Sequence, residues 1–100
     1  MAVSNTYSVV NGVGIIPKGT TFLIKPTDEQ TMRDLRCIKI PSTVTEIAFD
    51  AFYYSRNIEE LVVDEGNPVY DSREGCNAII DTESNTLKFG CKNICFLPIA

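Results

Sequence analysis

Short parallel strands joined by return turns, an α/β coil stack that is mostly β, are what three features of this sequence predict. The first is internal repetition: Leu35-x-x-Ile38-x-Ile40 is matched 23 residues later by Ile58-x-x-Leu61-x-Val63. The second is an aliphatic-proline step, Ile40-Pro41, which recurs as Ile16-Pro17 and Leu97-Pro98. The third is a pair of hairpin signals, one in each half of the chain. A spacing of 23 falls in the range of roughly 20–29 residues in which each unit gives one short strand and a turn back. The expected fold class is therefore an α/β leucine-rich-repeat solenoid, with one inserted β-hairpin (78–89) and an N-terminal hairpin and short-helix cap. One coil alone cannot bury the row at positions 35, 38 and 40, so a neighbouring coil must offer the same set.

Each element has its own local reason. Around Asn11-Gly12, Tyr7–Val10 and Val13–Ile16 read as a hairpin, because Asn-Gly tolerates the positive φ of a tight type I′ turn. Thr21–Lys25 reads as a strand ended by Pro26. Thr27 is the expected N-cap of a short helix, with Gln30 in the capping-box position and Asp28 and Glu29 at the positive end. That helix should run to about Leu35 and bury Met32 and Leu35. Residues 1–34 thus form a cap or degenerate repeat, 35–62 a repeat, and 63–100 a long hairpin-bearing repeat with a truncated successor, all in one domain. Pairing centred between Glu83 and Ser84 puts Ile80 opposite Leu87, Ala78 opposite Phe89 and Cys76 opposite Cys91. Period-2 alternation places those six on one face, and Asn77, Ile79, Asp81 and Lys88 on the other. Val44, Ile47, Phe52, Ile58, Leu61 and Val63 are the expected core, with Phe52 at its centre.

From Leu35 to Ile58 the chain resembles the BspA-like leucine-rich repeats. Their units place proline after the second isoleucine, then Val, Ile-Gly, Ala-Phe and Cys at fixed steps. Here those steps are Pro41, Val44, Ile47-Ala48, Ala51-Phe52 and Ser55, so Ala48 stands for the usual glycine and Ser55 for the usual cysteine. The stretch from Val63 to Ile80, with Asn85-Thr86-Leu87 and Gly90–Asn93, is similar to that family's long repeat. Residues 1–34 match poorly. The resemblance implies protein contact, surface display or adhesion, in bacteria above all, with a host or surface protein as partner. It also implies an exported protein, which conflicts with an N-terminus lacking a basic stretch and an apolar one.

Composition narrows the remaining classes. One hundred residues with 44% apolar and 22% charged side chains make an ordinary globular domain. With 13 acidic and 9 basic residues, a net charge of −4 argues against a basic grip on nucleic acid. No apolar run approaches the roughly 20 residues needed to span a bilayer as a helix, so no membrane insertion is expected.

Candidate chemistry is sparse. The chain has four cysteines (Cys37, Cys76, Cys91 and Cys95) and no histidine, so neither a Ser-His nor a Cys-His pair can be built. The cysteines contain no C-x-x-C, only Cys91-x-x-x-Cys95, which fits buried thiols better than a zinc site. A Cys76–Cys91 disulfide and two free thiols both remain open. Gly12-x-Gly14 lacks a third glycine and is a turn. The acidic residues from Asp64 to Glu83 lack the alternating ligand spacing of a calcium loop. No enzyme, cofactor or metal is expected. Of Tyr53 and Tyr54, one should be partly buried and the other exposed.

Alternation along the two matched strands then marks a binding face. Arg36, Cys37 and Lys39 point away from the core, as do Glu59, Glu60 and Val62 in the next unit, so these six are the candidate partner-binding residues. Cys37, beside Arg36 and Lys39, is the thiol expected to react first under native conditions. The expected function is a non-enzymatic protein–protein interaction module. The alternative is a structural or oligomerising fragment that caps a larger repeat assembly, through a homodimer at the C-terminal edge involving Ile94, Phe96 and Leu97.

Overall fold

A computed structural model describes residues 3–73 and 78–90. The strands are β1 (Ser4–Asn5), β2 (Ser8–Val10), β3 (Val13–Ile15), β4 (Phe22–Leu23), β5 (Cys37–Ile40), β6 (Glu46–Ile47), β7 (Glu60–Val63), β8 (Tyr70–Asp71), β9 (Ala78–Asp81) and β10 (Thr86–Gly90). One six-residue helix, α1 (Glu29–Asp34), precedes β5. It is far too short to cross a membrane, and no other described helix does so.

The chain does not form the expected leucine-rich-repeat solenoid. Its strands divide among three small sheets of mixed direction, with order β1-β4-β6, β2-β3-β5-β7 and β10-β9-β8. The first is parallel, the second mixes an antiparallel hairpin with parallel strands, and the third is antiparallel throughout. The physical reason lies after β7. Two matched segments suffice to pair β5 with β7, but the chain then enters turns and an antiparallel meander instead of another parallel strand. No helix returns from β5 to β7 either; residues 49–54 form successive turns.

The pairing expected between the matched segments is present, with Ile38 beside Leu61 and Lys39 beside Val62 in parallel. Arg36 sits beside Glu59, whose amide donates to the Arg36 carbonyl at 2.6 Å. The N-terminal hairpin also forms: Val10 pairs with Val13 across Asn11 (φ 52°) and Gly12 (φ 83°), the left-handed conformations a two-residue loop requires. Its second strand joins β5, and Arg36 and Cys37 both donate to the Gly12 carbonyl.

Gly14 is what lets β3 approach so closely. A methyl group there would lie 2.7 Å from Ile38 Cδ1 and 2.8 Å from Leu35 Cδ1, both on buried side chains. Gly14→Ala should therefore cost about 1–3 kcal/mol through overpacking. A denaturant midpoint equal to that of the parent would mean Leu35 and Ile38 repack without strain.

Helix α1 begins one residue later than the sequence suggests. Asp28, not Thr27, is the N-cap, accepting from the Gln30 amide at 3.0 Å. Gln30 is thus N2 rather than the capping-box residue, and its side chain donates to Asp34 instead. Arg33 pairs with Glu29 one turn back at 2.9 Å. Met32 and Leu35 are buried as expected.

Five of the six expected core residues, Val44, Phe52, Ile58, Leu61 and Val63, are buried, whereas Ile47 is only half-buried. Tyr7 joins them. Its ring stacks on Phe52 at 5.5 Å and its hydroxyl donates to the Ala51 carbonyl at 2.9 Å. Burial pushes the Tyr7 phenol up to about 12, against a small opposing effect of Ser55.

The second hairpin departs from its expected register by one residue. Thr86 pairs with Asp81 and Leu87 with Ile80, but a bulge between Leu87 and Phe89 then sets Phe89 opposite Ile79 rather than Ala78. The extra residue, Lys88, turns Phe89 onto the main core, where it meets Phe52 edge-on at 5.1 Å. Ile79 is buried there as well, not on an outer face, while Ala78 and Ile80 form a satellite cluster on the other side. Leu87 stays 47% exposed. Cys76, Cys91, Cys95, Ile94, Phe96 and Leu97 lie outside the described residues, and with them the choice between a Cys76–Cys91 disulfide and free thiols and the expected C-terminal association edge.

Candidate protein-binding face

The outer face of the β2-β3-β5-β7 sheet gathers most of the expected binding residues. Alternation turns Ile38, Ile40, Leu61 and Val63 inward, so Cys37, Lys39, Glu60 and Val62 must point out. These four, with Val13, line a shallow concavity of about 300 Å³. Lys39 and Glu60 are exposed and Cys37 and Val62 half-buried. Cys37 is the free cysteine among the described residues, and its place in this concavity is consistent with reagent access.

Arg36 and Glu59 stand at the end of this face rather than in the concavity. They form an ion pair of 3.8 Å, both side chains more than half exposed, which is worth little in water. The stem of Arg36 lies over Gly12, where an added methyl would meet its Cδ at 3.1 Å. Arg36 is thereby held above the hairpin turn by contact with backbone as well as by charge.

The sequence reading missed the larger apolar half of the surface. Val10, Val13 and Ile15 are 54%, 45% and 48% exposed. Register puts Val10 beside Val13 and Val13 beside Cys37, so an apolar strip runs from the β2 edge to the concavity. The two-residue turn already implies that Val10 and Val13 share a side. What it does not imply is which sheet the hairpin joins, since that depends on a contact with β5 more than twenty residues away.

Other polar groups hold the fold. Asp71 takes four bonds, from the Arg73 amide at 3.0 Å, from Arg73 Nε and Nη2 at 2.8 Å each and from the Thr82 hydroxyl at 2.6 Å. The Arg73 guanidinium leads these in holding its carboxyl down at about 2, against the opposing effect of burial. Arg73 also donates to Asn85, tying β8 to the hairpin turn. Tyr54 is half-buried beneath Arg33, 5.5 Å from the ring centre, and Tyr53 is 68% exposed. Among the described residues no three acidic, cysteine or histidine side chains cluster as metal ligands would.

Comparison with family models, with curated proteins and with solved structures finds nothing that matches this chain.

Proposed function

We propose that this chain is a non-enzymatic protein-binding module whose contact surface is the outer face of the β2-β3-β5-β7 sheet. The observation that carries this reading is a single continuous face that joins exposed apolar side chains to one charge of each sign. Val10, Val13 and Ile15 supply area to be removed from water, and Lys39 and Glu60 flank the concavity beside them. A partner gains burial from the first group and orientation from the second. The absence of histidine from the sequence, and hence of the usual neutral-pH base, favours binding over catalysis.

The experiment is capture on the immobilised chain, comparing extracellular-matrix proteins with a surface extract of the source cells. Val13→Asp and Lys39→Glu should each abolish or sharply reduce recovery of a bound protein. Lys39 is exposed, so its reversal should lower stability by no more than about 0.5 kcal/mol, and Val13→Asp, in an inner strand, by about 1 kcal/mol. Lys18→Glu makes the same charge change at an exposed site on the 17–20 turn and should leave capture intact. Equal capture by all four proteins would remove this face from the binding surface.

A further inference from the structure

A second site lies away from that face. Between β6 and the β8-β9-β10 sheet runs a cleft of about 380 Å³, at the small end of the sizes that hold organic groups. Ile47 and Phe89 give it apolar walls, and the contact of Phe89 with Phe52 fixes that ring in place. Phe49 forms the lip and is 92% exposed.

Two carboxylates, Glu46 and Asp81, share this cleft with the aromatic groups. Both act on its floor: burial first, then the fields of Asp81 and Glu46, hold the Tyr70 phenol above its ordinary 10, against a lowering hydrogen bond from the Ile47 backbone. Asp81 accepts from the Ser84 amide, while Glu46 makes no ion pair among the described residues. Lys88 also lines the cleft, without an ion pair to either carboxylate among those residues.

We propose that this cleft receives an arginine side chain presented by a partner protein, with its guanidinium between Phe49 and the carboxylates of Glu46 and Asp81. Two carboxylates against the single ammonium of Lys88 disfavour an anion, and a wholly apolar occupant would strip water from those carboxylates without replacing it. Arginine suits the site better than lysine. A guanidinium is weakly hydrated, stacks on aromatic faces and forks onto carboxylates, whereas an ammonium keeps its water more tightly. Lys88 is then a competing cation at the rim, so its removal should help the ligand while removal of either acid hurts it. Mere stickiness of an exposed phenylalanine predicts neither change.

The test is titration of the nitrogen-15-labelled full chain with a blocked Gly-Arg-Gly peptide, beside its citrulline and lysine counterparts. The arginine peptide should shift the amide signals of Phe49, Tyr70 and Lys88 saturably, and the citrulline peptide should not. Glu46→Gln and Asp81→Asn should each weaken binding about two- to fivefold, as loss of one partly exposed charge pair does, and Lys88→Gln should tighten it by a similar factor. Spectra of the free variants that superpose on the parent show that the fold is kept. Absence of shifts, equal binding of citrulline or lysine peptides, or weaker binding by Lys88→Gln overturns the proposal.

Discussion

Phe52→Ala should lower stability by about 3–5 kcal/mol, the cost of deleting a large buried ring that its surroundings cannot fill. The ring is the meeting point of three segments distant in sequence. It stacks on Tyr7 ahead of β2 at an interplanar angle of 29°, takes Phe89 of β10 edge-on at 86°, and is itself carried on the turns after β6. Truncation removes its own burial and both aromatic contacts, each worth about 0.5–1.5 kcal/mol beyond area. It also leaves Tyr7, whose hydroxyl is tied to the Ala51 carbonyl next door, facing a void. Domains of this size have about 5–15 kcal/mol in all, so the loss is a large share. At about 4–8 °C per kcal/mol, the thermal midpoint should fall by at least about 12 °C. Phe52→Leu keeps more of the volume and should lose clearly less. A midpoint unchanged by Phe52→Ala would mean that the three segments are not held through this ring.

That Phe52 is central, and that Ile38 pairs with Leu61, could be read directly from the chain. The pairing follows from repetition at short range, where a matched segment offers its neighbour a matching row; Phe52 lies between the two matched segments, outside the repeated positions. The outward set at 37, 39, 60 and 62 follows from the same register, because alternation in a strand leaves no freedom once one face is buried. The fold class did not follow. Two similar segments specify one pair of strands, not a continuing stack, and what comes after β7 is decided by the turn at Asp64–Asn67 and the meander beyond it. The hairpin face was misread for a different reason. A bulge at Lys88 leaves no mark in an alternating pattern, yet it exchanges the two faces of everything beyond it. Tyr7 and the strip Val10, Val13 and Ile15 were out of reach for a third reason. Local turn chemistry forms their hairpin, but only contacts with Ala51, Phe52 and β5 decide which of its sides meets the core.

Asn67→Asp should be nearly as costly as a core deletion, although it changes one group of almost the same size. The Asn67 amide bonds in four directions at once. Its Nδ2 donates to the carbonyls of Pro41 at 2.9 Å and Val44 at 2.7 Å, and its Oδ1 accepts from the amides of Val69 at 2.9 Å and Tyr70 at 2.8 Å. One side chain thus fastens the start of β8 to the turn after β5, and the Asn67 amide donates to Asp64 to close its own turn. Aspartate keeps the acceptor but replaces the donor with a second oxygen, turned toward two carbonyls. Two hydrogen bonds become two repulsive contacts, and partly buried carbonyls lose their partner, for a total of about 2–4 kcal/mol at neutral pH. The sign of the pH dependence separates this account from a simple packing defect. The two amides on Oδ1 favour the charged form, but two carbonyls facing a second carboxylate oxygen favour the protonated acid, which regains one donor; where the carbonyls dominate, the folded carboxyl is raised above its unfolded value. The variant's deficit relative to the parent should therefore be greatest at neutral pH and shrink as pH falls through that raised value. Measuring both chains at pH 7 and pH 5 keeps the comparison above the window, from the ordinary 3.8 down to about 2, in which Asp71 gives up its own contribution. Asn67→Ala, which removes donor and acceptor alike, should show a deficit that does not change between the two conditions. If Asn67→Asp behaves like Asn67→Ala, or costs nothing at pH 7, the two carbonyls are satisfied by other partners and Asn67 is not the fastening.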